Sequence, residues 1–297
     1  MSEQERTGGT RNRDGSDRVL PVFNTLKKAF RIYCSNFVLY TLLCFFLLIP
    51  HYAMKPIGRS LAQEAGITDS WEFMSFAVFT VIGSFIGLFV TAFATGAVLC
   101  CLFRSLKIDK PEIRRSLAVA ASRCLPVAGT LFLVYLAIAT CSFFSPWLYS
   151  ALPEFWKSLL ENSWISRILA FDLFWISLDC LILTPVVAAV PAVVVEKSGV
   201  FRAIKRSFQL TKGNRRRVFA ILFALFLVYQ FGRGLFFNEL IPSDGWGRYL
   251  LLYDTASYAI FLVFTAIKTI TTGLIYLALR TSGGGDIGES KLASVFD

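Results

Sequence analysis

Apolar runs long enough to cross a bilayer recur along this chain, with short polar and basic stretches between them. Hydrocarbon offers no water to backbone polar groups, so such a chain must fold as helices or as a closed barrel. Barrel strands alternate apolar and polar residues over about ten positions, and that alternation is absent. The runs predict an all-α polytopic membrane protein with six transmembrane helices, at Phe37–Ala53, Phe73–Phe103, Leu125–Leu148, Ile168–Val195, Val218–Phe236 and Tyr258–Leu279. Composition agrees: 55% of residues are apolar and 17% charged, and the mean hydropathy of +0.60 lies outside the soluble range. Residues 1–18 read as a disordered cytoplasmic tail, 19–280 as the membrane domain, and 281–297 as a C-terminal cytoplasmic tail with a flexible run at Gly283–Gly285. The first span is expected to be an uncleaved anchor, since a basic n-region with a cleavage site is missing.

Lys and Arg orient the spans. The segment before span one, the loop after span two and the loop after span four together carry 21 of them. The alternate loops hold five: Lys55, Arg59, Lys157, Arg167 and Arg248. The positive-inside rule therefore predicts that both termini are cytoplasmic. Five of the six Trp (Trp71, Trp147, Trp156, Trp164 and Trp246) fall in or beside the outer loops, as an interfacial aromatic belt requires. Orientation and attraction to anionic headgroups account for the net charge of +10, so the basic residues do not point to nucleic acid.

Two of the basic segments are near-copies. Val22–Asn36 reads VFNTLKKAFRIYCSN and Val200–Asn214 reads VFRAIKRSFQLTKGN, with Val, Phe, Lys, Phe and Asn identical at aligned positions. In the first, Val22, Leu26, Ala29, Phe30 and Tyr33 follow a helical spacing. The loop after span two repeats it more faintly with Ile113, Leu117, Ala120, Ala121 and Cys124. Three cytoplasmic interfacial amphipathic helices are expected, lying in the inner headgroup plane. Their headgroup contacts would come from Lys27, Lys28, Arg31, Arg114, Arg115, Lys205, Arg206, Arg215, Arg216 and Arg217. The chain then reads as a helix–span–span unit used three times, a pseudo-three-fold repeat.

The stretch PAVVVEKSGVFRAIKRSFQLTKGNRRRVFAIL, beginning at Pro191, carries Pro191, Glu196, Ala203, Ser207, Leu210, Gly213 and Phe219. With the closing Tyr276, Leu279 and Arg280 and the opening LKKAFRIYCSNF, it resembles the glycerophosphoryl diester phosphodiesterase membrane-domain family and its stand-alone bacterial inner-membrane relatives. The resemblance implies a six-helix domain of the bacterial inner membrane with largely unassigned function. In some relatives a soluble phosphodiesterase barrel follows, which needs about 250 residues and paired His and acidic side chains. The 17-residue tail 281–297 cannot hold it, so the enzyme activity is not expected to carry over.

Candidate chemistry is sparse. His51, the one histidine, reads as an interfacial anchor beside Tyr52, and one His cannot make a triad or a His-based metal site. The seven cysteines show no CxxC spacing and no natural disulfide framework; Cys100 and Cys101 are expected to pack within a span. Inside the spans, Asp179 and Lys268 stand at similar depth, with Asp172 seven residues before Asp179 on the same helix face. A charge at the bilayer centre costs about 2.5–3.5 kcal/mol, so either a structural ion pair or a polar cavity for a solute or proton is expected. Thr265, Thr269, Thr271 and Thr272 suit both. Pro185 and Pro191 should kink span four, and Glu196 should anchor the cytoplasmic helix near Lys197 and Lys212. Gly83, Gly87, Thr91 and Thr95 form a small-residue seam in span two, and Glu154–Ile165 reads as a short outer-surface helix. The expected function is non-enzymatic, without cofactor or metal: lipid- or envelope-associated binding or scaffolding, with membrane lipids and an unidentified membrane protein as partners. The alternative is a small-solute or lipid transporter using Asp179 and Lys268.

Overall fold

A computed structural model describes residues 21–45, 70–106, 113–143, 164–240 and 246–282, and all of its regular elements are helices. They are α1 (Val22–Ser35), α2 (Ser70–Ser105), α3 (Ile113–Phe143), α4 (Trp164–Val186), α5 (Ala189–Glu196), α6 (Val200–Thr211), α7 (Arg215–Leu240) and α8 (Trp246–Ser282). Residues 37–45 are helical as well. Four stretches are long and apolar enough to cross a membrane: Phe85–Ser105, Ile113–Thr140, Ile176–Glu196 and Tyr258–Thr281. They fall in the expected spans two, three, four and six, which makes the chain a helical, multi-pass membrane protein by length and composition. Expected spans one and five are not among the four. Residues 46–53 lie outside the described residues, and α7 opens on three arginines. His51, the two tails and most of Glu154–Ile165 also lie outside them.

α2 and α8 form the centre. One apolar cluster joins Leu99, Cys100, Val127, Cys180, Ala192, Ile221 and Tyr276; a second joins Tyr40, Cys44, Val98, Leu102, Ala120, Ala266 and Ile270. Both draw on α2, α3 and α8. Cys100 and Cys101 are fully buried and carry no disulfide, as their place in a span requires. The leucines of α2 pack directly on the backbone of α8 at Gly273, where an added Cβ would stand 2.6 Å from Leu102 Cδ2 and 3.0 Å from Leu99 Cδ2. The close approach of α2 to α3 falls at Gly96, whose added Cβ would lie 3.6 Å from Ala120 Cβ. α3 is the peripheral helix: 28% of its apolar window is buried, against 61% in α8.

The amphipathic segments share one burial register. In α1 the buried residues are Thr25, Ala29 and Tyr33; in α6 they are Ala203, Ser207 and Thr211, the aligned positions. At the start of α3 the equivalent positions are Ser116 and Ala120, both buried, and Cys124, half-buried. Small side chains at i and i+4 (Thr25 and Ala29, Ser116 and Ala120, Ala203 and Ser207) let each helix lie close against its neighbours, and α1 adds Tyr33 at i+8. Leu26, Leu117 and Ile204 flank that edge, half-buried. The expected stripes are thereby divided, because Phe30 and Ala121 face away from the protein. Docking is staggered along the chain. α1 packs on α7 and α8, α6 packs on α3, α4 and α5, and the start of α3 packs on α2.

One expectation needs correcting. The middle segment is not a separate surface helix, since α3 runs unbroken from Ile113 through Pro126 to Phe143. The outer copies stop for a local reason that the middle one lacks. Gly213 takes φ +93°, a left-handed conformation suited to glycine, and Asn36 and Asn214 close the two helices in the same way. Each Asn N–H donates to a carbonyl three residues back (Tyr33 at 3.2 Å, Thr211 at 3.0 Å). Each Asn carbonyl accepts from the residue four ahead (Tyr40 at 3.1 Å, Val218 at 3.0 Å). Residues 124–128, Cys-Leu-Pro-Val-Ala, supply neither a glycine nor an asparagine.

Candidate functional site

The described polar contacts between helices concentrate around α5 and α6. Proline at 191 has no N–H for the carbonyl of residue 187, and its ring crowds that carbonyl, so span four opens at Val187–Ala188 into α4 and α5. The break frees the Pro185 carbonyl and the Ala188 N–H. Ser207 of α6 serves both: its hydroxyl donates to Pro185 O at 2.8 Å and accepts from Ala188 N–H at 3.1 Å. Ser207 and Ala188 are fully buried, so the bonds form away from water. A single serine thus stitches the surface helix to the kink.

One turn further, α5 ends at Glu196. Lys197 follows in the left-handed region (φ 53°) and turns the chain toward α6. Glu196 Oε1 accepts from Tyr276 Oη of α8 at 2.9 Å and lies 3.5 Å from Arg206 Nε of α6. Arg280 Nη1 donates to the same Tyr276 Oη at 2.9 Å. The Tyr276 ring, fully buried, meets Phe103 of α2 at 6.3 Å between centroids. Glu196 therefore anchors α6, as expected, but through Arg206 and not through Lys197 or Lys212. Arg206 is 42% exposed, so its ion pair contributes about 0–1 kcal/mol. The buried bond from Tyr276 is the stronger tie.

The intramembrane charges are not brought together. Asp179 lies on α4 and Lys268 on α8, with α7 packed against both helices. No ion pair joins them among the described residues. The Lys268 ammonium instead stands 5.7 Å from the Phe264 ring centroid, a cation–π distance. The side chain of Asp172 lies outside the described residues. The threonines around Lys268 turn inward on their own helix: Thr269 bonds Thr265 O, Thr271 bonds Ile267 O and Thr272 bonds Thr269 O, at 2.7–2.8 Å. Their hydroxyl protons are thus committed to the carbonyls of α8 itself.

The basic residues sort into faces. Lys27, Lys28, Arg31, Arg114, Arg115, Lys205, Arg215 and Arg216 are exposed; Arg206 and Arg217 are half-buried. Arg215 lies over the Phe208 ring at 5.8 Å. Opposite the protein-facing edge, α1 exposes Phe23 (77%) and Phe30, and α6 exposes Phe201 (80%) and Phe208. Lys27 and Lys205 sit between those pairs, one turn from each Phe. Tyr33 of α1 bonds Thr41 in the next helical stretch at 2.9 Å, and burial raises its phenol above the ordinary value while that bond lowers it.

Sequence reasoning singled out Glu196, Ser207, Tyr276 and Arg280 without joining them. The spacing of 80 residues between Glu196 and Tyr276 carries no local signal. No family model, curated protein or solved structure matches this chain.

Proposed function

We propose that the chain is a non-enzymatic integral membrane protein that binds anionic lipid headgroups along its cytoplasmic face and acts as a lipid- or envelope-associated scaffold. The observation that carries this reading is the pair of exposed Phe–Lys faces on α1 and α6. Large aromatics are left out of the protein core at aligned positions, each beside a lysine. Phenylalanine gains by leaving water for acyl chains, and lysine gains about 1 kcal/mol near an anionic surface. A helix with both on one face belongs in the headgroup plane.

The finer architecture proposed with it is six spans and a pseudo-three-fold helix–span–span repeat, with both termini cytoplasmic. Three observations support it: the shared burial register, the matching Asn closures, and the staggered docking of each amphipathic segment on the spans of another unit. Placement in a bacterial inner membrane follows from the family resemblance. Under this reading an unidentified membrane protein is a further partner.

The test is lipid enrichment in nanodiscs of mixed phosphatidylglycerol and phosphatidylcholine. The intact protein should concentrate phosphatidylglycerol. A variant with Phe23→Ser, Lys27→Ser, Phe201→Ser and Lys205→Ser should lose about five-fold of that preference per lysine removed, from about 1 kcal/mol each. Unchanged enrichment in the variant would defeat the reading. Reporter fusions at Lys107 and Lys212 should report inside, and fusions at Gly66 and Asn162 outside; an inverted pattern would defeat the three-unit scheme.

A further inference from the structure

The cluster of Glu196, Arg206, Tyr276 and Arg280 does not balance its charge. One carboxylate faces two guanidinium groups, and Arg280 reaches it only through the Tyr276 hydroxyl. Tyr276 has one proton, directed to Glu196 Oε1, and its oxygen takes Arg280 Nη1. Arg280 Nε is buried and has no acceptor. The guanidinium carbon also lies 5.7 Å from the Tyr276 ring centroid, so the phenol holds the group by edge and by face.

We propose that the unmet edge of Arg280 binds a phosphate group. With Nη1 committed to Tyr276, the remaining side-on edge of the guanidinium, Nε with Nη2, is the fork that grips two phosphate oxygens at once. Arginine is suited to this and lysine is not, because only the planar group offers two parallel donors. A carboxylate partner is already present in Glu196, and it leaves Nε unmet. The inference rests on the proposed reading in one respect: that reading puts this end of the bundle at headgroup depth, where lipid phosphates are concentrated. Free phosphate shares the chemistry.

Native mass spectrometry of the purified full-length protein tests the site, with phosphatidic acid, diacylglycerol of the same chains, and inorganic phosphate as competitor. The intact protein should retain one phosphatidic acid at concentrations where diacylglycerol does not bind. Arg280→Lys keeps the charge but removes the fork, and should weaken retention about ten-fold or more. Tyr276→Phe, which releases Nη1, should weaken it several-fold. Displacement by inorganic phosphate identifies the free anion as the ligand; retention against it identifies the lipid. Equal binding by Arg280→Lys and the intact protein would overturn the proposal, as would equal binding of diacylglycerol or no binding of either phosphate source. The Phe–Lys faces are untouched in these variants. A failed site with normal phosphatidylglycerol enrichment therefore leaves the headgroup reading standing, while lost enrichment alone does not remove the site.

Discussion

α1 and α6 are near-copies in sequence and in burial, yet they are held by different means. Both bury small residues at i and i+4, with Tyr33 in α1 and Thr211 in α6 at i+8, and both expose two phenylalanines and a lysine on the other side. α6 is stitched by hydrogen bonds: Ser207 to the break between α4 and α5, and Arg206 to Glu196. At the aligned positions α1 has Ala29, fully buried, and Lys28, exposed. Its own side-chain bonds are local, Thr25 to Pro21 O and Tyr33 to Thr41. Shape is thus kept in both copies, while polar specificity is confined to one. The difference has a cause: a broken helix offers unpaired backbone groups, and α6 packs beside that break.

The comparison breaks first at its buried serine. Ser207→Ala should cost about 2–6 kcal/mol, because it leaves the Ala188 N–H and the Pro185 carbonyl unmet at about 1–3 kcal/mol each. The mirror change Ala29→Ser should cost about 1 kcal/mol or less, since a helical serine bonds its own carbonyl four residues back. Unfolding in mixed micelles reads both, and equal losses would mean the two helices are held alike. Next comes the helix stop. Gly213→Ala should lose about 1–2 kcal/mol at φ +93°, whereas Ser35→Ala should stay within about 0.5 kcal/mol. Tyr276→Phe should cost about 1 kcal/mol and Arg206→Ala about 0–1 kcal/mol, against no measurable loss for Lys28→Ala. The smallest effect sharpens the likeness. Phe23→Ala and Phe201→Ala should each leave detergent stability within about 0.5 kcal/mol, because neither ring packs in the core.

Much of this was readable from local pattern. Helical spacing located α1, α6 and the start of α3, and the closing Asn36 and Asn214 marked where two of them end. The direction each stripe faces was not readable. Val22, Leu26, Ala29, Phe30 and Tyr33 are all apolar, and hydrophobicity cannot distinguish a face turned to protein from one turned to lipid. Side-chain size separates Ala29, inward, from Phe30, outward, but Tyr33 is large and turns inward as well. Of the two readings for Asp179 and Lys268, the ion pair is not formed among the described residues, for a related reason. Depth along a span follows from counting residues, whereas the neighbours of α4 and α8 depend on packing, and α7 takes the place between them. The links of Glu196 to Tyr276 and of Ser207 to Pro185 are likewise products of packing.

The central claim is that the exposed phenylalanines of the two copies sit in lipid. Hydroxyl-radical footprinting of the intact protein in anionic nanodiscs measures it directly, residue by residue. Phe23, Phe30, Phe201 and Phe208 should oxidise many-fold more slowly there than their exposure in the protein alone implies, and Phe23 and Phe201 should be protected to the same degree. Oxidation of Phe23 and Phe201 at the rate of freely solvated phenylalanine would contradict the account.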